Sequence, residues 1–156
     1  MQGTKNKCVI VKTGTKEGTC VVKAKTEKKT YVWKIKVKKD KKNSKATLVK
    51  VKQTDTELDV TIKLSNRSKK WKEYGQDYSI ERIENGCWKK IKLKDDGYEY
   101  EVEDVAYSIP VKGSIKETYQ LATCYNREDF TKGIYRITVD ADFDKKSYSK
   151  VIFEVK

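Results

Sequence analysis

Asp140, Asp142 and Asp144 alternate along the chain, a spacing that can turn several oxygens toward one calcium ion. Calcium takes about six to eight oxygens, and its loops usually place a glycine at the sharp turn. Lys145 and Lys146 follow instead, and neither the glycine nor a distal glutamate is in place. A solvated loop is therefore the stronger reading. Thiol and imidazole chemistry is poorer still. The four cysteines, Cys8, Cys20, Cys87 and Cys124, form no C-x-x-C, and the chain has no histidine. That argues against a zinc site and against any histidine-based triad. There is no G-x-S-x-G, no glycine-rich phosphate loop and no recognisable pair of catalytic acids. The chain reads as no enzyme, with no cofactor and no metal. Four cysteines admit three disulfide connectivities, but free thiols are the stronger reading, because buried free thiols are common.

What remains is binding chemistry. Trp33, Trp71 and Trp88, with ten tyrosines, could supply stacking faces. Trp71 lies in Lys69-Lys70-Trp71-Lys72, where an aromatic flanked by lysines suits an anionic or sugar ligand. The plainer reading is a loop tryptophan folded over the end of a domain. The net charge of +13 is uneven: residues 1 to 44 carry 14 lysines against 3 acids, and the rest is nearly balanced. Lys34, Lys36 and Lys38 repeat with period two, so they share one wet strand face. Such a stripe attracts polyanions or merely discourages edge pairing. A cell-wall polymer, a glycan or a protein ligand fits it; nucleic acid fits less well.

The elements that must carry these residues are strands. Val, Ile, Thr and Tyr dominate the less polar positions, there is one proline, and no long run has helical period. Cys20, Val22 and Ala24, then Tyr31, Trp33, Ile35 and Val37, alternate with polar residues. One face is thus expected buried and the other lysine-coated. The run from Lys38 to Ser44 has no apolar residue and reads as a linker. Beyond it, strands are expected at Ala46–Val51, around Leu58–Leu64, through Tyr78–Ile83, around Trp88–Ile91, within Val102–Val111, at Tyr135–Ala141 and at Val151–Val155. Ser114–Tyr125 fits either a strand or a short helix. Short strands separated by turns are the pattern of a β-sandwich. Neither a membrane-spanning apolar run nor a signal-peptide core is visible.

Phe130-Thr131-Lys132-Gly133-Ile134-Tyr135 has the local pattern of a tyrosine corner, in which a hydroxyl bonds back to the upstream backbone. Glu81 and Arg136 both face away from the apolar sides of their strands. They are expected to pair across neighbouring strands, with Glu154 as a possible third member. Trp88 is expected in the core beside Tyr78 and Ile80.

These residues carry a resemblance. Tyr74-Gly75-Gln76-Asp77-Tyr78-Ser79-Ile80-Glu81, Asn85-Gly86-Cys87-Trp88 and Gly133-Ile134-Tyr135-Arg136-Ile137 occur in order. Residues 45 to 156 resemble the bacterial Ig-like domains with Y-G-x-x-Y-x-I-E, N-G-x-W and G-x-Y-R-I motifs. That resemblance implies an Ig-like Greek-key sandwich, no catalytic residues, and an extracellular or cell-envelope setting in Gram-positive bacteria. Residues 14 to 37 resemble the last strands of intimin- and invasin-type Ig-like domains, with the earlier strands missing. The resulting expectation is an all-β chain: a partial β module over 1–39, a linker over 40–44 and a sandwich over 45–156. Its expected role is adhesion, spacing or presentation within a longer multidomain protein. Polyanion binding, or service as an accessory domain of an envelope enzyme, are the other readings.

Overall fold

A computed structural model describes residues 17–37, 44–97, 100, 105–141 and 148–156. The chain divides into two compact units. The described part of the first is a hairpin of β1 (Gly18–Lys25) and β2 (Thr30–Val37). Thr26 closes its turn: its N–H donates to the Lys29 carbonyl at 2.8 Å, and its hydroxyl accepts from the Lys29 N–H at 3.0 Å. The register pairs Cys20 with Ile35, Val22 with Trp33 and Ala24 with Tyr31, so these side chains share one face. Lys23, Lys25, Lys34 and Lys36 take the other. The face expected to be buried is largely open among the described residues: Trp33 is 50% exposed and Tyr31 45%. Alternation decides which face a side chain takes, but burial needs a second layer, and two strands supply only one.

The second unit has two antiparallel sheets. One orders β3 (Ser44–Gln53), β4 (Leu58–Asn66) and β8 (Ser114–Gln120) as β3-β4-β8. The other uses β5 (Lys72–Glu84), β6 (Cys87–Lys90), β7 (Tyr107–Ile109), β9 (Gly133–Ala141) and β10 (Tyr148–Val155). Its order is β10-β9-β5-β6, with β7 also on β5. The ambiguous stretch after Ser114 is both things in turn: strand β8, then one helical turn, α1 (Leu121–Cys124). Val9–Val11, residues 40–43 of the linker expected over 40–44, and Asp142 and Asp144 lie outside the described residues, while Ser44 begins β3.

Period-two alternation builds the core. Leu58, Val60, Ile62 and Leu64 of β4 face Tyr135, Ile137, Val139 and Ala141 of β9, all fully buried. The strand rule continues one step further than the apolar residues do. Asn66, at the end of β4, also points inward and is fully buried. A buried amide must be satisfied. Its Nδ2 donates to the carbonyls of Lys70 at 2.8 Å and Ile109 at 3.0 Å, while Oδ1 accepts from Ser68 N–H at 2.9 Å. This side chain ties the β4–β5 loop to β7.

Aromatic rings form the thickest part of the core. Tyr119, Tyr78, Tyr125, Phe130, Tyr135 and Phe153 make a continuous series, with successive centroids 5.0 to 6.0 Å apart. Edge-on and offset contacts of this kind add to the area they bury. Burial also holds their phenols neutral. It pushes Tyr125 up to about 12, the Ile80 N–H opposing part of the effect. Burial and then Glu117 push Tyr74 up to about 12. Tyr78 and Tyr119 shift in the same direction, first through burial.

Two predictions follow from this packing. Asn66→Ala strands the Ile109 carbonyl and the Ser68 N–H, and should cost about 2–4 kcal/mol in urea unfolding, whereas a surface substitution such as Thr47→Ala should cost under about 0.5. The tyrosines give an alkaline limit. Unfolded phenols lose their protons near pH ~10, whereas the folded ones hold them to higher pH. Stability is therefore full below about pH 10 and falls as pH rises toward about 12. Absorbance at 295 nm during a pH titration should show a fraction of the phenols ionising only as the fold is lost. Smooth titration of all ten in the native state would contradict the buried series.

Candidate functional site

The outer face of the β10-β9-β5-β6 sheet gathers the polar side chains that the core rejects. Its geometry follows from register. Glu81 pairs with Arg136 on one side and Lys90 on the other, and Arg136 pairs with Ile152. One row further along, Ser79 pairs with Thr138 and Thr138 with Lys150. These residues project away from Ile80, Ile137 and Val151, which face the core.

Tyr135 and Arg136 are consecutive and point to opposite sides. The Tyr135 hydroxyl donates to the Thr131 carbonyl at 2.7 Å, four residues upstream. Arg82 lies across the ring, 5.7 Å from its centroid, and donates to the Lys132 carbonyl at 3.3 Å. Gly133 leaves room for it: a Cβ there would sit 3.3 Å from Arg82 Nε. Burial raises the Tyr135 pKa, with Arg82 opposing. On the outer side, Arg136 Nη2 lies 2.5 Å and Nε 2.7 Å from Glu81 Oε2. Glu154 sits opposite Ile134, one row from Arg136.

Trp88 is not in the core. Its ring lies on the outer face, with the Arg136 guanidinium 4.4 Å from its centroid. The cause is the β5–β6 turn. Asn85 and Gly86, with φ of 49° and 81°, form a two-residue loop that pairs Glu84 with Cys87. Trp88 therefore pairs with Ile83 and shares the parity of Glu81, opposite to Tyr78 and Ile80. The guanidinium is held from two directions, by a carboxylate and by an aromatic face.

The other candidates fall into separate places. Trp71 is 63% exposed, with Lys69 and Lys70 also exposed, in the loop that Asn66 braces. Lys34 and Lys36 belong to the hairpin unit, and Lys38 is outside the described residues. Cys20, Cys87 and Cys124 are free thiols; Cys8 is outside the described residues. Cys124 lies close enough to the Tyr78 hydroxyl to add, after burial, to the upward shift of that phenol.

A groove of about 460 Å³ opens on the same outer face, beside the Glu81 pair. Ser79 and Thr138 are among the residues that line it, with Lys90 and Lys150 on strands at opposite edges of the sheet and Asp77, Leu93, Tyr78 and Tyr125 also in the lining. Sequence alternation could have placed Ser79 and Thr138 outward. It could not have placed Lys90, Lys150 and Leu93 with them, because that requires the pairing of four strands.

The sequence matches the bacterial Ig-like domain over residues 40–150. The chain belongs to the bacterial Ig-like domain family. The nearly all-strand architecture, in antiparallel sheets, is that of an Ig-like sandwich. No curated protein matches the chain. Among solved structures, one similar chain is that of a crystal structure of β-glucosidase from Kluyveromyces marxianus in complex with glucose. The identity is 11%, the TM-score 0.35, and the match covers 80% of this chain and 14% of that one. A likeness of that size says nothing about chemistry here. In this Ig-like domain no described helix is long and apolar enough to cross a membrane.

The Glu81–Arg136 pair is largely shielded, with side-chain exposures of 21% and 18%. A double-mutant cycle of Glu81→Ala and Arg136→Ala should give a coupling of about 1–2 kcal/mol, above the usual value for exposed pairs. Arg136→Lys keeps the charge but loses the flat contact with Trp88, and should recover less than half of that coupling. A coupling near zero would reduce the pair to two separate charges.

Proposed function

We propose that this Ig-like domain is a non-catalytic module of a secreted or cell-envelope protein, acting in adhesion, spacing or presentation. The family membership over residues 40–150 carries this reading. The chemistry of the sandwich agrees with it. Its best-positioned polar groups, the Tyr135 hydroxyl, the Arg136–Glu81 pair and the Asn66 amide, are bonded to one another or to backbone, which suits joinery. We read residues 1–39 as a partial β module joined by the lysine-rich 40–44 segment, with the whole belonging to a longer multidomain chain.

A second reading rests on the hairpin. Lys23, Lys25, Lys34 and Lys36 share one exposed face of β1 and β2. Anionic polymers such as those of a cell wall would be held there by charge, and salt would weaken that binding steeply. Trp71 with Lys69 and Lys70 offers a smaller contact of the same kind.

Protease treatment of intact source cells tests the first reading. An antibody to this chain should lose its signal after trypsin is added outside, while a cytosolic marker survives. Protection in intact cells, with recovery in the cytosol, would overturn the envelope assignment. For the hairpin, Lys34→Glu with Lys36→Glu should elute from a sulfated or phosphated matrix at a clearly lower salt concentration than the equally charged Lys63→Glu with Lys116→Glu, exposed on the larger unit. Equal elution would assign retention to net charge and dismiss the face.

A further inference from the structure

The geometry points to the groove on the outer sheet face as a binding site for a small anionic polyol: a hydroxyl-rich unit carrying one phosphate or carboxylate. It is separate from the lysine face of the hairpin and does not depend on that face binding anything. Four observations carry it.

The groove is built. After β6 ends, the chain is pinned across the sheet: Ile91 N–H donates to the Ile80 carbonyl, and Lys94 N–H to the Cys124 carbonyl, both at 2.9 Å. Lys94 Nζ adds a bond to the Ala122 carbonyl at 2.6 Å. Leu93 lies between those anchors and is 49% exposed, so an apolar wall is held out against solvent. Preorganisation of this kind lowers the cost of binding.

The floor is hydroxylic. Ser79 and Thr138 are directly paired across β5 and β9 and share the outer face. Each hydroxyl can donate and accept, as can those of a polyol. Leu93 beside them offers an apolar surface for the C–H face of a sugar or polyol.

The charge is asymmetric. Lys150 lies on β10 and Lys90 on β6, three strand spacings apart across the sheet, about 14 Å, and one row apart along it. Their long stems can bring both ammonium groups over the floor. Glu81, the neighbour of Lys90, is already held by Arg136 through Oε2. Asp77 stands at the end of the groove, where β5 departs from regular register. The lining carries two lysines against Asp77 and Glu81, and with Glu81 paired to Arg136 one positive charge is left in excess. A neutral sugar would leave the lysines unused, and a bare anion would leave the hydroxyls unused.

The volume is that of a small molecule. About 460 Å³ lies within the range of ordinary ligand clefts.

The test is a titration of the intact chain, followed by two-dimensional amide NMR, with glycerol 3-phosphate and glucuronate as probes. Glycerol and glucose serve as neutral counterparts, and inorganic phosphate as the bare anion. The anionic polyols should bind with a Kd of about 1 mM, shifting the amides of Ser79, Lys90, Thr138 and Lys150. The neutral compounds and phosphate should each bind at least about tenfold more weakly. Lys90→Gln with Lys150→Gln should lose the charge discrimination; Ser79→Val with Thr138→Val should lose the preference over phosphate. Both pairs are on the wet face, and their amide spectra report whether the fold is intact. Lys63→Gln with Lys116→Gln, an exposed cross-strand pair on the other sheet, should leave binding unchanged. Absence of saturable shifts, shifts mapping to another surface, or binding retained in the Lys90 and Lys150 variant would each overturn the proposal. An oligomer containing glucuronate that binds more tightly than the monomer would support a polymeric source of the same chemistry; equal affinity would support a free small molecule.

Discussion

The register between β5 and β9 is the constraint on which both faces of the larger unit depend. Strand periodicity is two, so a slip of one residue would put Arg136 into the core and Tyr135 into water. The two residues penalise that slip together. Tyr135 joins the aromatic series and has a backbone carbonyl waiting four residues upstream. Arg136 has a carboxylate and an indole waiting outside. Burying the guanidinium without partners would cost far more than either contact contributes. The outer pair therefore acts more as a specifier of register than as a large source of stability.

That division explains why aromatic residues are many but reactive groups few. Tyrosine fills a thick core while needing only one partner for its hydroxyl. The Tyr135 hydroxyl finds backbone and the Tyr74 hydroxyl finds Glu117. Asn66 applies the same rule to a loop. Its inward position follows from β4 alternation, and its amide then recruits Lys70, Ser68 and Ile109, which fixes where Trp71 leaves the sandwich.

Local features were readable in the amino-acid order because short-range geometry decides them. The tyrosine corner and the inward residues of β4 and β9 are of this kind. Trp88 was not, since its face depends on counting the turn as two residues. Alternation in the hairpin correctly sorts Trp33 from Lys34, yet it carries no information about a second layer, so openness could not follow from it. The groove was invisible for a stronger reason. Asp77, Ser79, Lys90, Leu93, Thr138 and Lys150 span more than seventy positions, and only the order β10-β9-β5-β6 makes them neighbours.

Net charge is also a poor guide to where a ligand would sit. Residues 1 to 44 hold 14 of the lysines, whereas the remainder of the chain is close to neutral. A dense, exposed lysine face creates a field that reaches about a Debye length and is screened by salt. It selects sign, not shape. The groove has only Lys90 and Lys150 as cations, but they share it with the Ser79 and Thr138 hydroxyls and a wall anchored by three hydrogen bonds. Discrimination comes from groups that a wrong ligand leaves unsatisfied, and such groups must be held still. On that criterion the weakly charged sheet face has the means to distinguish ligands, while the strongly charged hairpin has the means only to attract them.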